Sequence, residues 1–162
     1  MIGDVLVPLN QMKASNPELY GIYRSKYEGR EEVLERRIPL LDCLWNDVVQ
    51  FLPLHPGVVF EKQKELGLIE EVPHYSFFEI DLAQLDPKKC VVYFKDAPGE
   101  ENVKVLWLTD VNMEDVQTLP GSTIAYYETL VGTGELPFNY QFVPHIVYLG
   151  TVDVSSSRIV TL

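Results

Sequence analysis

Residues 38–60, IPLLDCLWNDVVQFLPLHPGVVF, form the longest dense run of large apolar side chains in the chain, and their reading decides the fold. If a helix starts at Pro39, each residue advances the direction by about 100°. Leu40, Leu41, Leu44, Trp45, Val48, Val49, Phe51 and Leu52 then fill one half of the cylinder. Asp42, Cys43, Asn46, Asp47 and Gln50 fill the other. This division predicts an amphipathic helix over 39–52 laid against a sheet, with Pro53 ending it by removing a donor.

Upstream, DVLVPL at 4–9 reads as a short opening strand, with Pro8 at its end. A helix follows, capped by Asn16, with Pro17 in its first turn and Gly29 at a left-handed exit. Leu19, Tyr23 and Tyr27 recur one turn apart and predict its inner line. Residues 31–37 suit either helical turns or a polar strand. Downstream, a helix opens at Pro56 and ends near Leu66, where Gly67-Leu68 has the form of a Schellman stop. Val59, Phe60 and Leu66 are its expected inward side.

From Tyr75 the texture becomes that of strands. YSFFEIDL alternates, with Phe78, Ile80 and Leu82 expected on one face. CVVYF and VKVLWLT, joined by the turn DAPGEEN, predict antiparallel neighbours. Asn112 can cap a short helix reaching Leu119, and residues 122–131 fit a helix or a strand. GTGELPFNYQFVP is a long loop by its Gly and Pro content. HIVYLGTVDVS closes as a strand with Gly150 as a bulge, and SSSRIVTL adds a final edge strand. The class is α+β: N-terminal helices packed on a mainly antiparallel sheet formed largely by residues 75–109 and 145–162, in one domain of 1–162.

Composition narrows the function classes. An apolar share of 46% and a charged share of 23% are those of an ordinary globule. No apolar stretch approaches the ~20 residues of a membrane span, and MIGDVLVPLNQMK lacks the pattern of a signal peptide. A cytoplasmic protein is expected. The net charge is −11, from 13 Lys and Arg against 24 acids, which argues against nucleic acid and anionic membrane as partners. The basic cluster Arg24, Lys26, Arg30, Arg36 and Arg37 is interleaved with acids and reads as a solvated face.

Few residues can carry chemistry. His55, His74 and His145 each adjoin a proline and so fall at element ends. Their spacing matches no metal motif, and no metal or cofactor is expected. GTGE at 132–135 lacks the context of a phosphate-binding loop, and no GxSxG elbow appears. Cys43 is the one candidate nucleophile, opposed by the nearby Asp47 carboxylate, which disfavours a thiolate. Cys90 reads as a small core residue.

Two functions follow. The first is a protein-interaction or self-associating module, with aromatic loops as interface anchors and an acidic surface for basic partners. The alternative is a small-molecule transferase or hydrolase, with a cleft between the 39–52 helix and the 132–145 loop. There His55 or His145 would be the acid or base and Asp47 its orienting carboxylate. Asn46, Tyr126, Tyr127 and Glu128 would hold a ligand, the tyrosines by stacking on a ring.

Overall fold

A computed structural model describes residues 1–162. Its centre is a four-stranded antiparallel sheet of β4 (Val49–Phe51), β6 (Cys90–Lys95), β7 (Val103–Trp107) and β8 (His145–Tyr148), in the order β4-β8-β6-β7. The inner strands β8 and β6 carry nearly continuous apolar residues because both faces of the sheet are covered. Val91, Tyr93 and Val147 point to one side, where they meet Ile38, Trp45 and Val48. Cys90, Val92 and Ile146 point to the other, where they meet Leu85, Val152 and Val154. Three small antiparallel pairs surround this sheet. They are β1 (Val5–Leu6) with β9 (Val152–Asp153), β2 (Arg37–Ile38) with β3 (Cys43–Leu44), and β5 (Ser76–Glu79) with β10 (Arg158–Thr161).

The helices are α1 (Leu9–Ser15), α2 (Pro17–Arg24), α3 (Gly57–Glu65) and α4 (Gly121–Leu130). The Asn16 side chain accepts from Leu19 N at 3.1 Å, as its position before Pro17 predicts. At the end of α3, Leu68 N donates to Gln63 O (2.9 Å) and Gly67 N to Lys64 O (3.0 Å), with Gly67 at φ 74. That pair of bonds is the Schellman stop read from the sequence. A third apolar cluster joins Leu54 and Val59 to Tyr127 of α4 and to Val143. The α+β class and its antiparallel pairing therefore hold.

The helix over 39–52 is absent. Ile38 pairs with Cys43 and Arg37 with Leu44, so Pro39–Asp42 is the loop of a hairpin. Leu40 (φ 71) and Asp42 (φ 46) take left-handed conformations that a helix cannot contain. Trp45–Asp47 forms a single 3-10 turn, and Val49–Phe51 is the edge strand β4. Trp45 and Val48 do turn into the core. They do so from a turn and an extended segment, whose spacing the helical period imitates. Smaller corrections follow. Phe78 is 37% exposed, and Phe77 faces Val160 across the ribbon. Gly150 separates β8 from β9, where a bulge within one strand was expected. Residues 113–116 form a 3-10 turn, shorter than the helix expected there, whereas 31–33 take the helical alternative as a 3-10 turn and Arg37 enters β2.

Candidate binding groove

Strand β4 ends the four-stranded sheet, and two concavities lie beside it. The larger, about 820 Å³, runs between β4 and the β5–β10 ribbon and reaches the start of β8. The smaller, about 440 Å³, lies between β4, the 45–48 segment and the N-terminal helices. Leu6, Gln50 and Phe78 line both.

The walls of the larger space have a telling composition. Gln50 to His55 line it without a break, and so do Phe77 to Ile80 opposite. Successive side chains of a strand point to opposite faces, so a strand seen face-on contributes alternate residues. Side chains from both faces of β4 (Gln50, Phe51) and of β5 (Phe77 to Glu79) reach it, the rest of the first run lying beyond β4. Both are edges: β4 bonds only to β8, and β5 only to β10.

Two histidines line this groove. His145, half-buried at the start of β8, lies 6.0 Å from the Trp45 ring. Its Nδ1 is 2.8 Å from Val143 O. A carbonyl oxygen only accepts, so Nδ1 carries the proton and Nε2 is left as an acceptor. Burial pulls its pKa below the ordinary value, and the Val143 bond opposes this in part. His55 is fixed the opposite way: its Nδ1 accepts from Gly57 N at 3.2 Å, leaving Nε2 as the donor. The groove thus holds one accepting and one donating imidazole.

Neither imidazole meets a carboxylate. Asp47 spends Oδ1 on Asn10 Nδ2 (2.7 Å) and Oδ2 on Leu44 N (2.8 Å), so it braces the 3-10 turn. Asp42 pairs with Arg37 on the surface. The polar half expected of the 39–52 helix dissolves with it, since Gln50 Nε2 bonds Trp45 O (3.2 Å) and Asn46 is buried. Tyr126 and Tyr127 are occupied in holding the 132–144 loop. Tyr127 is fully buried and donates to Asn139 O, while the Tyr126 hydroxyl accepts from Phe138 N at 3.0 Å. Glu128 is exposed on α4. Cys43 is half-buried, and burial, then Asp47 and Asp42, push its thiol up to about 11. Cys90 is fully buried in the core, and burial likewise pushes its thiol to about 11. No three His, Cys, Asp or Glu side chains converge to hold a metal ion, and no helix is long and apolar enough to cross a membrane.

Sequence reading missed the ribbon's part in the groove. Phe77 and Phe78 are consecutive aromatic residues inside a short strand, and that pattern signals apolar neighbours on both of its faces. Nothing in the sequence indicates that β10, eighty residues on in round terms, is the partner of β5. Comparison of the chain with family models, with curated proteins and with solved structures finds no match.

Proposed function

We propose that the protein is a binding module that takes an extended segment of a partner protein between β4 and β5. The observation that carries this reading is that two strand edges, each with one hydrogen-bonding neighbour, border the same groove. An edge strand leaves a row of backbone N–H and C=O groups unpaired, and an added strand satisfies them. A segment seated there would join the ribbon and the four-stranded sheet through backbone bonds on both sides. Its alternate side chains would enter the apolar lining formed by residues such as Phe51, Leu54 and Val160. The net charge of −11 favours a segment with basic flanks.

The test is selection from a displayed library of nine-residue peptides, followed by alternate N-methylation of the selected peptide. Methylating the N–H groups that face β4 or β5 should abolish binding, and nuclear magnetic resonance shifts should fall on Val49–Phe51 and Ser76–Glu79. Binding indifferent to N-methylation, or shifts confined to the 131–138 loop, would refute the reading.

A second reading is favoured by the complementary imidazoles: His145 Nε2 as base and His55 Nε2–H as acid in a small-molecule enzyme. It lacks the orienting carboxylate that the sequence suggested, the Val143 carbonyl standing in that place. Its mark would be catalysis lost in both His145→Gln and His55→Gln with peptide binding retained.

A further inference from the structure

Charge is distributed unevenly over the larger groove. Glu79 is the one acid on its walls, and no lysine or arginine lines it. His145, whose Nδ1 carries the proton, adds Nε2 as a further acceptor. Glu79 ends β5 and lies opposite Arg158 of β10. Arg158 Nη1 is 3.5 Å from Glu79 Oε2, longer than the about 2.7–2.9 Å of a charge-assisted bond, and both side chains are more than half exposed. So loose a pair leaves most of the carboxylate's accepting capacity unspent. Alternation places Phe77 and Glu79 on one face of β5, about 7 Å apart. Val160, opposite Phe77, lines the groove, while Ile159, opposite Phe78, is 60% exposed, so the Phe77 face is the inward one.

We infer that the segment bound beside β5 presents an arginine to Glu79 and, two positions away, an apolar side chain to Phe77. Both contacts rest on the strand addition proposed above. In an added strand the residue directly across from Glu79 has its Cβ about 4.5–5.5 Å away, the counterpart of Arg158 on the other side. An arginine there donates through five N–H groups and accepts through none, which suits a wall that offers a carboxylate and no cation. Its planar head also packs over a ring within about 6 Å, and Phe77 is the ring on that face. Lysine brings a point charge without the planar fork, so it fits less well. An acidic residue in that place meets Glu79 with no lining cation to offset it.

The nine-residue library is selected on the full chain. The Arg, Lys and Ala forms of a selected peptide are then titrated by calorimetry into the parent, Glu79→Gln and Arg158→Gln chains. Selected peptides should share an arginine with an apolar residue two positions from it. Arg→Ala should weaken binding to the parent about fivefold, the effect of one cross-strand charge pair, with Arg→Lys in between. That penalty should vanish in Glu79→Gln, with retained amide protection of β6 showing that this variant is folded. Arg158→Gln removes the competing guanidinium and should tighten the Arg form roughly two- to fivefold, more than the Ala form. Peptides selected without a fixed arginine, an acidic residue in its place, equal binding of the Lys and Arg forms, or an Arg→Ala penalty that survives in Glu79→Gln overturns the inference and leaves strand addition standing. No selected peptide, or binding indifferent to N-methylation, removes strand addition and this register together.

Discussion

Replacing Tyr127 by phenylalanine removes one oxygen and leaves the ring in place. The side chain is fully buried between α3 and α4, and its hydroxyl donates to the carbonyl of Asn139 in the 132–144 loop. Burial pushes that hydroxyl up to about 12, so it stays protonated and a donor at any physiological pH. The variant loses a bond whose net worth is roughly 0.5–1.5 kcal/mol and leaves a carbonyl unpaired, for a total cost of about 1–3 kcal/mol. In a chain of this size that lowers Tm by roughly 2–12 °C. Tyr126→Phe serves as the comparison. It removes an acceptor for the exposed Phe138 N–H, which water can replace, so its cost is under about 1 kcal/mol. Urea unfolding gives both values, with an unchanged m-value showing that the comparison is fair. Amide exchange should show the loss locally in Tyr127→Phe, with faster exchange in 132–144 while β6 and β8 keep their protection. Equal costs for the two variants, or a Tyr127→Phe protein within about 0.5 kcal/mol of the parent, would refute the idea that this hydroxyl fastens the loop.

Three further outcomes are expected. Asp42→Val should destabilise by about 1–3 kcal/mol because a β-branched residue is strained at φ 46, whereas Asp42→Asn should be near neutral; a neutral valine variant would favour a helix there. His145 has a folded pKa below the ordinary 6.5, chiefly through burial. As pH falls below that value the unfolded chain gains a proton that the folded chain resists, so stability present above pH 6.5 is lost on acidification. His145→Gln should flatten this slope in urea titrations at several pH values, and an unchanged slope counts against it. With its thiol near 11, Cys43 should react with a disulfide reagent at pH 8 roughly tenfold more slowly than a free thiol, the loss of thiolate being partly offset by its greater nucleophilicity, and Cys90 only on unfolding; rapid labelling of the folded chain contradicts the burial described.

Local chemistry was legible wherever a signal is contained within a few residues. Asn16-Pro17 begins a helix and Gly67-Leu68 ends one because capping bonds span only three to five residues. CVVYF and VKVLWLT were readable as strands because their apolar and β-branched residues suit a sheet covered on both faces. The 39–52 segment was not, since Trp45 and Val48 are three apart, the spacing of a helical face. In the folded chain that spacing arises from a 3-10 turn passing into a strand.

By itself the sequence determined the α+β class, the helix caps, the strand-forming core and the poverty of catalytic motifs. Only the tertiary structure decided that 37–44 closes as a hairpin, that β5 seeks β10, and that both His55 and His145 face one groove. The physical reason is range. Caps and turns are set by neighbours along the chain, whereas strand pairing depends on partners far away in sequence and on which edges remain unpaired once the core is filled.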